Sequence, residues 1–148
     1  MKTELIDIPG LFLGSDAQWK VKALKINGEF SLAIDALDRW RTDPKMKKDY
    51  ELIIEAIQYA AHVKRVGDER IVKVSDNHEH GEVYEFRAYD FDRQRARKAR
   101  LMFFYDESDD ALIVCTNSYE KGKGTTFAQD RMFEMCNRYK KEYERNKR

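Results

Sequence analysis

Two arginines and two lysines lie where they could form a phosphate-binding site. Arg87 and Arg100 each stand within a stretch of β-type sequence, and Lys121 and Lys123 follow the next such stretch. An arginine guanidinium binds two phosphate oxygens with its planar fork and stays protonated at neutral pH. We therefore expect the two arginines to converge on one anion, with one of the lysines at the neighbouring phosphate.

Such a set of cations suits the metal-free cleavage of RNA. In that reaction a ribose 2′-hydroxyl attacks the adjacent phosphate, and negative charge gathers on the phosphorane oxygens. Preorganised arginines stabilise this charge, and a lysine neutralises the next phosphate or protonates the leaving oxygen. Glu85 lies two residues before Arg87, on the same face of the predicted strand, where it either pairs with an arginine or acts as the general base.

Further basic and aromatic residues could contact RNA around this centre. The segment 93–100 contains five basic residues and no acid. Its side chains would bind the phosphate backbone without reading the base sequence. Tyrosine rings stack on bases, although tyrosines on strands also commonly pack in the core or at its rim. The predicted RNA contacts are Arg93, Arg95, Arg97, Lys98, Tyr105 and Tyr119.

The apolar pattern predicts an α+β fold that places these residues on a small antiparallel or mixed sheet. Alternation of apolar and polar residues, rich in β-branched and aromatic types, predicts strands at 19–26, 83–89, 99–105 and 111–117. Apolar residues at helical spacing predict a helical hairpin at 29–42 and 44–65 and a last helix at 126–145. We expect Glu85, Arg87 and Arg100 to point from one sheet face into solvent.

Other segments are expected to be peripheral or irregular. Residues 1–18 mix apolar side chains with proline and glycine, which predicts an N-terminal arm with little regular structure that packs on the core. The strand at 19–26 carries lysines, which are typical of an edge strand. Residues 90–98 are predicted to form a long cationic connection. Asp43 and Pro44 are predicted to start the second helix as its N-cap and first residue.

Composition indicates one globular domain over residues 1–148. The chain is 42% hydrophobic and 37% charged, and its net charge of +1 excludes a basic field over the whole surface. Cys115 and Cys136 lie among apolar residues and are expected to be small buried side chains. Because no apolar run approaches the roughly 18 residues of a membrane span, we expect a cytoplasmic protein that does not contact a membrane.

The loop at 76–81 allows a weaker, metal-dependent alternative. His78 and His80 stand beside acidic residues, and histidine and carboxylate side chains are zinc ligands. A zinc site would need further ligands at a suitable spacing, and the sequence offers none. A metal-dependent enzyme built on residues 76–80 is therefore the weakest of three hypotheses, and we expect no metal and no other cofactor.

Three sequence runs carry a resemblance to a known family. They read GEVYEFR at 81–87, ARLMFFY at 99–105 and ALIVCTNSYEK at 111–121. These runs resemble the RelE/HigB-type toxins of type II toxin–antitoxin systems, and in particular the phage-derived Gp49-like branch of the RelE/ParE superfamily. The resemblance extends over residues 19–145, with motif-like agreement over 81–130.

The resemblance implies a RelE-like fold and a particular activity. Typical members are metal-free endoribonucleases that cleave mRNA in the ribosomal A site and are inhibited by a cognate antitoxin protein. The basic site residues of the family would fall here on Arg87, on Arg100 and on Lys121 or Lys123. mRNA on the ribosome and an antitoxin are therefore the expected partners.

A non-catalytic protein of the same fold is the second hypothesis. Phe127 stands near the position at which some family members carry an active-site tyrosine, and the C-terminal segment contains no histidine. The scaffold would then bind only a protein partner, either an antitoxin or a topoisomerase, as in the ParE branch. Apolar residues in the arm also leave homo-oligomerisation open.

Overall fold

The computed structural model describes residues 1–65, 68–77, 81–122 and 126–147, without the side chains of 74–77, 81 and 126–128. Within this part, six strands and three helices confirm the predicted α+β class. They are β1 (Thr3–Asp7), β2 (Lys20–Ile26), α1 (Leu32–Thr42), α2 (Lys47–Ala61), β3 (Ile71–Asn77), β4 (Gly81–Asp90), β5 (Arg95–Asp106), β6 (Leu112–Glu120) and α3 (Thr126–Asn146). None of the helices in these ranges is long and apolar enough to cross a membrane.

The six strands form one mixed sheet in the order β1-β2-β6-β5-β4-β3. β2 and β6 run parallel, and every other neighbouring pair is antiparallel. The parallel pair requires a crossover, which α1, α2, β3, β4 and β5 together provide. β3 extends the predicted sheet by one strand beyond β4.

The prediction for the N-terminal part of the sheet was wrong in two respects. β1 lies inside the segment predicted to have little regular structure, and it pairs along β2. β2 is therefore an interior strand, not an edge strand. The physical reason is apolar packing, because Leu5 of β1 packs against the buried cluster that contains Leu24 and Ile26 of β2, while the surface ion pair of Lys22 with Asp7 adds little. Beyond β1 the arm returns to the core, where Ile8 is buried.

Both faces of the sheet are covered, so the predicted solvent-exposed face is wrong. α1 and α2 pack on one face in a core that includes Trp40, Ile57 and Phe103. α3 packs on the other face, where Cys136 lies buried with Met102. Cys115 and Cys136 are both buried free thiols, as predicted. Sheet residues that alternate away from α1 and α2, such as Val83 and Met102, are therefore buried as well.

The predicted hairpin of α1 and α2 is present with shorter helices. α1 begins at Leu32, since the hydroxyl of Ser31 caps it by accepting the Ile34 N–H. Asp43 does not start α2. It terminates α1, and its carboxylate accepts the N–H of Lys45 in a turn, so α2 begins only at Lys47. α2 ends at Ala61 and not at residue 65.

The cationic connection predicted at 90–98 is mostly strand. The turn spans only residues 91–94, so Arg95, Arg97 and Lys98 belong to β5. The pairing of β4 with β5 shifts between Arg87↔Arg100 and Tyr89↔Ala96. Between these pairs, one residue of β4 thus opposes three of β5, which is a β-bulge at the start of β5. Bulges redirect side chains, and this one determines where the cations of β5 lie.

Candidate nucleic-acid interface

A buried carboxylate of α2 fixes the bulge of β5. Asp49 accepts the backbone N–H groups of Lys98 and Ala99, both at 2.9 Å, and the Nε–H of Arg97 at 2.7 Å. A bulge leaves backbone groups without a ladder partner, and buried N–H groups need an acceptor. Asp49, although it is charged, is almost completely buried. It therefore connects the first turn of α2 to the start of β5.

A cleft opens between this junction and the end of β6. Its volume is about 680 Å³, within the range of roughly 300–1,000 Å³ that is typical of ligand-binding clefts. We call it the basic cleft. It is lined by Asp43, Lys45, Met46 and Asp49 before and within α2, by Arg95, Ala96, Arg97, Lys98 and Arg100 of β5, and by Glu120 and Lys121 at the end of β6.

Four cations on the rim of the basic cleft lack acidic partners among the residues that the structure describes. The side chains of Lys45, Arg95, Lys98 and Lys121 are exposed, and none makes an ion pair or side-chain hydrogen bond to another residue that the structure describes. Six of the lining side chains are basic and three are acidic, and Asp49 already pairs with Arg97. The cleft therefore has an excess of positive charge, although the net charge of the chain is close to zero.

A buried arginine lies at the floor of the basic cleft. Arg100 is only 3% exposed, so the prediction that it points into solvent is wrong. Its Nη1 donates to the carbonyl oxygens of Arg97 at 2.6 Å and Ala99 at 3.0 Å, which anchors it on its own bulge. Its Nε is buried without a hydrogen-bond partner, and burial lowers the pKa of the guanidinium. A buried cation is costly unless an anion lies close to it, and the buried carboxylate of Glu85 lies 3.9 Å from this Nε.

Glu85 occupies the other side of Arg100 and is fully buried, contrary to its predicted solvent exposure. Its carboxylate accepts the Nε–H of Arg87 at 2.8 Å and the hydroxyl of Tyr119 at 2.6 Å, and it lies 3.9 Å from Nε of Arg100. Burial and the hydrogen bond to Glu85 raise the pKa of the Tyr119 hydroxyl. The structure thus joins Arg87, Arg100 and Glu85 in one network, but inside the protein and not on an open face.

The remaining predicted site residues lie in several places. Arg87 is partly exposed and does not line the basic cleft, and Arg93 lies on the turn at 91–94. Tyr105 is buried, with its ring centroid 4.6 Å from that of Trp19, so the prediction that it stacks on bases is wrong: its ring is part of the core. Tyr119 is half-buried against Glu85. Lys123, Phe127, His78 and His80 have no described side chain, and among the described residues no cluster could hold a metal ion.

Four charged residues that line the cleft, Asp43, Lys45, Asp49 and Glu120, were absent from the predicted site. Lys45 and Asp49 approach β5 only because α2 packs on the sheet. They are far from Lys98 along the chain, so the sequence alone does not place them in the same site. Asp49 lies four residues before Ile53 on the buried stripe of α2. An acidic residue on an otherwise apolar stripe was the sequence feature that could have identified it. Glu120 directly precedes Lys121 and is exposed at the end of β6.

Comparisons with protein-family models, with curated proteins and with solved structures gave no match for this chain. The functional argument therefore depends on the basic cleft and the buried network beside it.

Proposed function

We propose that the protein is a RelE-type toxin that binds mRNA in the basic cleft and cleaves it without a metal ion. The observation that carries this proposal is the rim of the basic cleft, where four exposed cations have no acidic partner among the described residues. A phosphate in the cleft would balance this excess of positive charge. The six-stranded mixed sheet with its helices supports the proposal only at the level of the α+β class.

Binding to the phosphate backbone follows from the kind of side chains in the cleft. Lysine and arginine contacts to phosphates release counterions, so the affinity depends strongly on salt and little on base sequence. With about four phosphates neutralised, the affinity for a single strand falls roughly 50-fold between about 50 and 200 mM salt. In this proposal a cognate antitoxin inhibits the protein by covering the same cations.

Cleavage needs a proton acceptor, a proton donor and charge stabilisation. The O2′–P bond forms, the P–O5′ bond breaks, and the 2′-hydroxyl loses a proton while the leaving 5′-oxygen gains one. Glu120 is exposed in the cleft, whereas Asp49 is engaged with Arg97, so Glu120 accepts the 2′ proton. Lys121 protonates the 5′-oxygen. Arg100 stabilises the charge of the phosphorane from the floor of the cleft.

One observation favours a second candidate, a RelE/ParE-fold protein that binds an antitoxin or a topoisomerase without catalysis. Glu85 pairs with Arg87 and lies close to Arg100, so its charge reduces the positive potential of both arginines. Arg87 and Arg100 therefore do not form a pair of exposed, unpaired arginines that could bind one phosphate together. In this alternative the basic cleft binds an acidic protein surface, and RNA is not cleaved.

Induced expression in bacteria, with the ends of mRNA mapped, distinguishes the two candidates. We expect the wild-type chain to arrest growth and to create new mRNA ends. Glu120→Gln should lower the cleavage rate by about 100-fold or more, because proton transfer typically contributes that much. Glu134→Gln removes the same charge from an exposed position of α3 and should cleave like the wild type.

Two outcomes would contradict the proposal in different ways. Absence of new ends with folded wild-type protein would favour the non-catalytic candidate. Unchanged cleavage by Glu120→Gln would be compatible with the toxin activity but would show that Glu120 is not the proton acceptor.

A further inference from the structure

An aromatic side chain is exposed on the turn between β4 and β5, beside the basic cleft. Phe91 begins this turn at 91–94 and is 49% exposed. The buried carboxylate of Asp90 accepts the N–H groups of Asp92 at 3.0 Å and Arg93 at 3.3 Å, which fixes the shape of the turn. Phe91 is therefore held at the surface by an ordered turn, at a place where polar residues are usual.

Phe91 also belongs to a stack of planar groups. The guanidinium carbon of Arg70 lies 3.9 Å from the ring centroid of Tyr59 and 5.0 Å from that of Phe91, as in cation–π contacts. Asp68 holds this guanidinium in place by accepting from its Nε at 3.0 Å and from its Nη2 at 2.7 Å. The ring of Phe91 is thus supported from inside the protein, while about half of the side chain is accessible to a ligand.

The β4–β5 hairpin connects Phe91 to the basic cleft. The ring centroid of Tyr89 lies 4.9 Å from that of Phe91, and Tyr89 is paired in the sheet with Ala96, which lines the cleft. Arg95 lines the cleft as well and is paired with Asp90, the residue before Phe91. A ligand in the cleft that extends past Arg95 would therefore meet the ring of Phe91.

The charges around Phe91 indicate which kind of molecule would cover its ring. Arg93 and Arg95 are exposed, and neither forms an ion pair or side-chain hydrogen bond with another residue in the described ranges. Asp92 is the one exposed acid beside them, so the excess charge is positive. An apolar protein surface would leave both arginines without a partner. A single strand of RNA supplies a base for the ring and phosphates for the arginines.

We propose that Phe91 is a base-stacking site, on which one base of the RNA packs while Arg93 or Arg95 contacts the adjacent phosphate. This inference rests on the proposed function, because it requires RNA in the basic cleft. It adds a contact to a base, which phosphate contacts alone do not provide. Every base has a π-face, so the site favours a strand that carries bases over a bare sugar–phosphate backbone without selecting one sequence.

The test compares a polyuridine strand of about ten nucleotides with a strand of the same length in which every position is abasic. The variant is Phe91→Leu, which keeps an apolar side chain beside Arg70 but removes the aromatic ring, and Phe91→Tyr restores a ring. The matched control is Phe12→Leu, because Phe12 is 81% exposed on the N-terminal arm and does not line the cleft. Fluorescence anisotropy at several salt concentrations measures the affinity, and melting temperatures show that each variant is folded.

We expect Phe91→Leu to bind polyuridine about 5-fold or more weakly than the wild type, because one stacked base is lost. Its affinity for the abasic strand should not change. The slope of log affinity against log salt should also stay the same, since no phosphate contact is removed. Phe91→Tyr and Phe12→Leu should match the wild type on both strands.

The other outcomes separate the stacking site from the proposed function. If the wild-type chain binds neither strand, the proposed RNA binding fails, and the stacking site fails with it. If the wild type binds RNA but Phe91→Leu keeps full affinity for polyuridine, RNA binding stands and the stacking site is refuted. An equal loss on both strands would also refute it, because Phe91 would then act only by shaping the turn.

Discussion

We expect the exchange of Lys98 and Lys121 for glutamate to lower the affinity for single-stranded RNA by at least about 100-fold at about 0.1 M salt. Two cations are removed from the rim of the basic cleft, and two anions take their place. Fluorescence anisotropy with a polyuridine strand measures the loss. The fold should be retained, because both side chains are exposed and unpaired within the described part of the chain.

The backbone geometry shows why the affinity for RNA should depend strongly on these two lysines together. The N–H of Lys121 donates to the carbonyl oxygen of Lys98 at 2.8 Å, so the two residues are neighbours on adjacent strands. Like charges in such positions are destabilising, and a bound phosphate between them relieves the repulsion. Two glutamates repel each other to a similar extent, so the stability should change by less than about 1 kcal/mol.

The control for this prediction is Arg138→Glu with Lys141→Glu on α3, which makes the same change in net charge at exposed positions. It should keep most of the affinity, because the charges lie outside the basic cleft. An equal loss of affinity in both double variants would mean that RNA binding depends only on the net charge of the protein. Unchanged affinity in the Lys98, Lys121 variant would show that RNA does not bind in the basic cleft.

Replacing Asp49 with alanine should lower the free energy of unfolding by about 3–5 kcal/mol, the usual cost of breaking a buried ion pair. The carboxylate accepts from Arg97 and from the N–H groups of Lys98 and Ala99. Alanine leaves these two backbone donors without an acceptor, and each unsatisfied buried donor is costly. Urea denaturation measures the change.

Asp38→Ala is the matched control for Asp49→Ala. Asp38 is also a helical aspartate that pairs with an arginine, Arg41, but its side chain is mostly exposed. Such a surface pair contributes about 0–1 kcal/mol. A loss of less than about 1 kcal/mol for Asp49→Ala would show that the bulge of β5 keeps its shape without the Asp49 carboxylate.

The sequence pattern was sufficient for the elements whose faces alternate regularly. β4, β5 and β6 and the apolar stripes of α2 and α3 follow from period-2 and helical spacing. Helix ends were harder to predict from the sequence, because Asp43 can serve as an N-cap or as the residue that terminates the preceding helix. The β-bulge of β5 could not be predicted, since it depends on the carboxylate of Asp49, which reaches β5 from a distant part of the chain.

Charged residues at buried positions caused the largest errors in the predicted site. Glu85 and Arg100 occupy strand positions that alternate with apolar residues, and such positions are normally solvated. α3 covers that sheet face, and the two side chains then satisfy each other and the bulge instead of facing solvent. Lys45 was missed for a related reason, because only the packing of α2 on the sheet brings it beside β5.

Backbone amide chemical shifts of the labelled protein, recorded with and without a polyuridine strand, test the RNA site most directly. The chain is small enough for this measurement at 17.6 kDa. We expect the largest changes on residues 45–49, 95–100 and 120–122, around Arg100. Changes confined to the arm at 8–18 or to the exposed face of α3, or no changes at all, would contradict it.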